Sequence, residues 1–290
     1  MPELEHVIPF IAEIPEDFDK KWPDYINTSK DIQLSIICPT IKGFNFINSM
    51  YNTIITKLNI EMVFVSPNEP NEKLPPNCKW IKVAPIIKPV QCWEIGMHNA
   101  TGETVSLCAD DQIFSPYAWD EAYNIYKESN DYKTFVSLHW FEPKYHEVTI
   151  SGFETDTNKF NDYVSLCRFE GIQLPTPEAI INKKYFMELG GFDRSYVRQE
   201  CIEDFYRRAI LDGVNIKFTL YGRVYEYGHM HPLANKKSHS YIHVYQDFEK
   251  TKVKWKFEGG KLIQCVPTES FIFDDTIYTS NQGATFGIWS

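Results

Sequence analysis

Five short, β-branched apolar runs punctuate the first half of this chain, and each ends in a polar or proline-bearing turn. They are Gln33–Cys38, Glu61–Val65, Trp80–Val83, Thr104–Cys108 and Lys133–Leu138. Runs this short with no polar alternation suit strands buried on both faces of a sheet. Between them lie stretches with helical spacing, at 44–58, 90–100 and from Ser115-Pro116 to Glu128. Ser115-Pro116 reads as an N-cap followed by a first-turn proline, and Gly102 as a stop just past the second helix. Strands alternating with helices predict an α/β fold with a mostly parallel central sheet flanked by helices. In such sheets ligands lie at the carboxyl ends of the strands. Thr40, the Ser66–Asn71 loop and the pair Asp110-Asp111 all fall on that edge.

Beyond His139 the pattern weakens and supports only irregular segments until Pro177. A strand at Ala179–Ile181 then precedes a short helix, Lys184–Leu189, ended by Gly190-Gly191. A helix over Cys201–Leu211 stops at Gly213, and Asn215–Leu220 is again strand-like. These readings divide the chain into an acidic, proline-punctuated arm (1–30), a core domain (31–228) and a C-terminal extension packed on the core (229–290).

With 290 residues, 43% of them hydrophobic and 15% aromatic, the chain can bury a sizeable core. A net charge of -10 argues against a broad basic surface for nucleic acid. No apolar run reaches the about 18 residues that span a bilayer, and the Met1–His6 terminus is acidic where a secretory leader is basic. Seven scattered cysteines, odd in number and lacking a C-x-x-C pair, read as free thiols in a reducing compartment. A soluble, cytoplasmic protein is the expectation.

Two acidic pairs carry the chemistry that the residues suggest. Adjacent carboxylates such as Asp110-Asp111 repel one another unless a positive group sits beside them. Mg²⁺ or Mn²⁺ bridging to substrate phosphates would serve, and so would a solvated turn. Glu203-Asp204 opens a helix, where the dipole favours acids and where a general base for an acceptor hydroxyl could also sit. Arg207 and Arg208 stand one turn on, at the spacing for ion pairs. His229 and His231, in an H-x-H run, lack the fuller ligand set of a zinc motif but could complete a metal site beside acids. P-loop, dinucleotide and hydrolase-elbow signatures are absent.

In this order the segments resemble the family 2 glycosyltransferases, which have the GT-A fold. Leu34–Thr40 is similar to the family's opening strand, and Asn99–Glu103 with Val105–Asp111 to its A-x-G-E turn and D-x-D strand. Phe186–Asp193 resembles its G-G-F-D segment, and Glu203-Asp204 with Arg208 and Gly213 its E-D helix. The resemblance spans about Ile32 to His231 and implies an inverting transfer from a nucleotide-sugar, a UDP-sugar being favoured, to a hydroxyl of a sugar or glycoconjugate. It implies that Pro39, Thr40 and Asp110 hold the nucleotide and Asp111 the metal, completed by His229 or His231. Asp204, or second to it Glu203, would activate the acceptor. Ala109 replaces the first Asp of D-x-D, and Ser66–Glu69 lacks the family's Asp-Asp, leaving Glu69 or Asn68 to substitute. The processive Q-x-x-R-W motif is missing, which implies single addition. The competing readings are a relative that binds a sugar nucleotide or a partner without catalysis, and a transferase acting on a modified nucleic-acid base.

Overall fold

The structure, a computed structural model, describes residues 31–40, 47–71, 73–75, 77–83, 87–143, 160–163, 174–198, 200–226 and 240–271. The apolar runs form β1 (Leu34–Pro39), β2 (Ile60–Ser66), β3 (Cys78–Lys82) and β4 (Thr104–Leu107). They alternate with helices α1 (Ile47–Thr53) and α2 (Pro89–Asn99). A short β5 (Gln112–Phe114), α3 (Ala118–Ser129), β6 (Thr134–Pro143) and β7 (Phe160–Tyr163) follow. Then come β8 (Ala179–Asn182), α4 (Lys183–Glu188), α5 (Glu200–Leu211) and the long β9 (Asn215–Glu226). Helix α6 (Ser240–Lys254) and a hairpin of β10 (Trp255–Glu258) and β11 (Lys261–Gln264) end the described chain.

One sheet runs β3-β2-β1-β4-β8-β6-β9-β5, with β7 added on β6. The first four strands are mutually parallel, and β6 is parallel to β9. Strands β8, β7 and β5 run antiparallel to their neighbours, which leaves most strands pointing one way. Both faces are covered, as the unbroken apolar runs require. Leu34, Ile36, Cys38, Met62 and Phe64 pack with Met50 of α1 and with Trp119, Ala122 and Tyr126 of α3. Ile37, Val63 and Val65 face the other way, onto Val90 and Ile95 of α2 and Phe205 of α5. Each such side chain, fully buried, contributes roughly 1.5–3 kcal/mol. Gly96 lets α2 lie close against β1, because a Cβ there would collide with the Ile37 side chain.

Three expectations shift. Ser115 does not cap a helix: its N–H donates to the Arg223 carbonyl and its hydroxyl accepts from the Arg223 N–H, so it extends the β5–β9 pairing. The helix starts at Ala118 instead, after Tyr117 in the left-handed region at φ 57°. The helix expected at 44–58 is described only over Ile47–Thr53, with 41–46 outside the described residues. Strand β9 continues to Glu226, because β5 and β6 both pair its second half.

Candidate functional site at the strand edge

Parallel pairing sets Pro39 opposite Val65 and Ile37 opposite Leu107, so the segments after β1, β2 and β4 leave the sheet at one level. Thr40 is buried: its N–H donates to the Val65 carbonyl and its own carbonyl accepts from Ser66 Oγ at 2.8 Å. Its hydroxyl is buried with no hydrogen-bond partner among the described residues. Asn68 folds back through its N–H onto Ser66 Oγ. Glu69, exposed, pairs with Lys82 Nζ at 2.8 Å, and that contact holds its carboxyl below the usual value.

Asp110 and Asp111 form the half-buried turn that joins β4 to β5. Cys38 and Cys108 lie beneath it, and burial, the neighbouring thiol and the charges of both aspartates push the Cys38 pKa upward. A relay pins the turn from below. The Ala109 N–H donates to Gln112 Oε1 at 2.9 Å, and Gln112 Nε2 donates to Glu178 Oε1 at 2.6 Å. Glu178 is 1% exposed, and its other oxygen, Oε2, is buried without a hydrogen-bond partner among the described residues. Burial, and to a lesser degree the charge of Asp111, raise its pKa to about 7. Neither Gln112 nor Glu178 stood out in the sequence. The only hint was a polar residue directly after the acidic pair, and nothing in the sequence links it to a position 66 residues away.

The Asp110 and Asp111 carboxyls at this edge are oxygen donors. Hard divalent cations such as Mg²⁺ and Mn²⁺ prefer oxygen donors of this kind. Among the described residues no group of three or more His, Cys, Asp or Glu side chains is disposed to hold a metal. His229 and His231 lie outside the described residues.

The second acidic pair lies in an ion cluster that joins α5 to α6. Asp204 is fully buried. Its Oδ2 accepts from Arg208 Nε at 3.0 Å, and its Oδ1 meets Trp255 Nε1 at 2.9 Å and Lys254 Nζ at 2.7 Å. Lys254 also bonds Asp193 at 2.5 Å, and Arg208 reaches the carbonyls of Leu189 and Gly191, each at 2.6 Å. Burial pushes the Asp193 carboxyl up, but the bond and charge of Lys254 outweigh it and leave the pKa below the ordinary value. Glu203 keeps a partly exposed carboxylate, 3.0 Å from Arg207 Nη2. Glu200, one turn earlier, has its pKa raised to about 7 by burial and by the charge of Glu203.

The Phe186–Asp193 and Glu203–Arg208 segments are thus bound to each other. Phe192 N–H further donates to the buried Glu94 of α2 at 2.9 Å. The Asn99–Glu103 turn lies at the opposite, amino end of the strands. There the Gly102 N–H donates to Ser35 Oγ, and the Thr101 N–H to Glu61. A cavity of about 590 Å³ lies between α6 and the Asp193–Tyr196 turn, and none of the strand-edge residues lines it.

Mixed α/β, with a largely one-way curled sheet covered by helices on both faces and a helix–hairpin appendage, the fold is of the GT-A type found in glycosyltransferases. Among solved structures the chain is similar to GalNAc-T7 with UDP, GalNAc and Mn²⁺, with a TM-score of 0.50, 11% identity, and coverage of 68% of this chain and 44% of that one. It is also similar to S. aureus TarS 1–349, with a TM-score of 0.49, 15% identity and coverage of 68% and 60%. The same TarS segment in complex with UDP-GlcNAc gives a TM-score of 0.48, 17% identity and coverage of 67% and 58%. The chain therefore spans less than two thirds of each of these structures, and at such identities the likeness is one of fold. No family model matches the sequence, and no curated protein matches it. No helix among the described residues is long and apolar enough to cross a membrane.

Proposed function

We propose that the protein is a glycosyltransferase that moves a sugar from a nucleotide-sugar, a UDP-sugar first among them, to a hydroxyl of a sugar or glycoconjugate acceptor, with inversion. The observation that carries this reading is the convergence of Thr40, the Ser66–Glu69 loop and the Asp110-Asp111 turn at one edge of a GT-A sheet. Pro39 and Thr40 would line the nucleotide, the Thr40 hydroxyl having no hydrogen-bond partner among the described residues, and Asp110 and Glu69 would reach its polar edge. Asp111 would hold the divalent cation, with His229 or His231 completing its shell. When bound, that cation neutralises the charge of the departing diphosphate.

The chain's own residues orient the donor and accept the acceptor's proton. Of the two acids proposed for the proton, Glu203 has an accessible carboxylate. Asp204 has both oxygens committed to Arg208, Trp255 and Lys254, and a proton could be taken there only by displacing one of them. We therefore put the general base on Glu203 and the orienting of α5 on Asp204.

The test is titration of UDP, UDP-GlcNAc and UDP-GalNAc with and without Mn²⁺, followed by transfer assays. Wild type binds in a Mn²⁺-dependent way, and Asp111→Asn weakens binding by about tenfold or more, or about 1.4 kcal/mol. Glu203→Gln binds normally but turns over on the order of 10²-fold more slowly. Absence of binding to any nucleotide-sugar ends the reading, whereas binding without transfer to any acceptor leaves a sugar-nucleotide-binding protein.

A further inference from the structure

The Asp110-Asp111 turn is held from beneath by side chains that come from two distant parts of the chain. Gln112 is 3% exposed and spends both ends of its amide: the oxygen on the Ala109 N–H, the nitrogen on Glu178. Glu178 sits just ahead of β8, a strand that pairs both β4 and β6 in the middle of the sheet. Its own backing is rigid. Two residues earlier, Thr176 is tied through its N–H to Ser137 Oγ at 2.8 Å, and its carbonyl accepts from the Tyr206 hydroxyl at 2.7 Å. An amide clamped in this way fixes the start of a turn whose next two residues are the acids. A buried carboxylate is a costly choice for so modest a task, since an apolar residue would fill the same space without desolvating a titratable group.

We propose that Glu178 is a positioning residue for the donor site: through Gln112 it fixes the backbone at Ala109 and so presets the Asp110-Asp111 carboxylates for the nucleotide diphosphate and its cation. The inference rests on the nucleotide-sugar reading for what the turn binds, but not for the relay itself. Preorganisation of this kind acts on affinity for the nucleotide and cation and leaves acceptor recognition alone.

The experiment has two arms, so that failure of this inference and failure of the nucleotide-sugar reading are told apart. The first needs no ligand. Hydrogen exchange at the Ala109 amide is followed in wild type, Glu178→Ala, Glu178→Gln and Gln112→Ala, with the β1 and β2 amides as internal controls. Ala109 loses protection by about tenfold or more in both alanine variants while β1 and β2 keep theirs, because its acceptor is removed or released. Glu178→Gln, which still offers an oxygen to Gln112 Nε2, restores protection relative to Glu178→Ala. The second arm titrates UDP with Mn²⁺. Glu178→Ala and Gln112→Ala each weaken binding by about tenfold, and the double variant by no more than either alone, as expected of one relay.

Unchanged Ala109 protection in Gln112→Ala and Glu178→Ala overturns the inference, as does protection lost equally across β1 and β2. Additive losses of affinity overturn it too. If wild type does not bind UDP, the nucleotide-sugar reading is what fails, and the exchange arm still decides the relay. Should Glu178→Ala not fold, Gln112→Ala against Glu178→Gln carries the same comparison.

Discussion

Two acidic regions of this molecule are neutralised in opposite ways. In the cluster between α5 and α6, Asp193 and Asp204 are matched by Lys254 and Arg208, so the chain itself supplies the counter-charge. At the strand edge, Glu178 receives an amide from Gln112 and sits near the charge of Asp111. Burial, with the charge of Asp111 adding to it, pushes the Glu178 pKa up to about 7, whereas Lys254 brings that of Asp193 below the ordinary value. Buried carboxylates at similar depth therefore differ in what they can still do. A cluster whose acids are matched by the chain's own cations holds elements together, whereas the acid under the strand-edge turn is met by an amide.

The largest expected effect breaks the compensated side. Asp204→Ala leaves Arg208 and Lys254 short of a shared partner in a buried site, and the loss is roughly 3–5 kcal/mol. Urea denaturation measures it, and a loss under about 1 kcal/mol would mean that water already reaches the cluster.

Next in size is the response to pH, which separates the two regions by sign. Glu178 keeps its proton in the folded chain up to about pH 7, where the unfolded chain has released it near the ordinary value of 4.5. Its contribution to stability therefore falls as pH rises between those two values, by on the order of 1–3 kcal/mol, and is level above. Asp193, with a lowered pKa, stabilises above its unfolded pKa and loses that contribution as pH falls through the folded one. Urea midpoints at pH 5 and pH 8 should differ less for Glu178→Gln than for wild type. Glu200, also raised to about 7, keeps its share of the slope in both. Equal slopes in the two proteins would place the proton elsewhere.

The smallest effect is expected where both charges are in water. Lys82→Ala removes the exposed partner of Glu69, and surface ion pairs contribute little. No resolvable change in the urea midpoint is expected, while UDP affinity at low salt shifts if Glu69 faces the nucleotide. A clear drop in stability would show that this loop is tied down more firmly than an exposed pair allows.

Much of the framework was legible in the residues. The runs at Gln33–Cys38, Glu61–Val65 and Thr104–Cys108 became β1, β2 and β4, because a run apolar on both sides has no stable place except between two layers. The Gly190-Gly191 stop is met by φ values of 84° and 68°, which residues with a Cβ adopt reluctantly. The three-residue β5 was not legible. Gln112–Phe114 is too short to carry a period, and its identity comes from β9, more than a hundred positions on, which it pairs at Glu226–Val224. The same distance misled the reading of Ser115-Pro116, where a favourable local cap lost to pairing with Arg223.

By itself, then, the sequence determined the α/β layering, the order of its elements and the arrival of Thr40 and Asp110-Asp111 at one edge. These follow from local apolar patterning and from the rule that parallel strands end together. Tertiary structure alone decided what each acid became. Asp204 stands where a helix-opening base was expected, and Lys254 and Trp255, from the far end of the chain, turn it into a buried anchor. Glu178 drew no notice in the sequence and now lies under the acidic turn, joined to it by Gln112. Patterning is written in near neighbours, but the charge state of a carboxyl depends on whatever group is brought within a few ångströms of it, and here those groups come from distant segments.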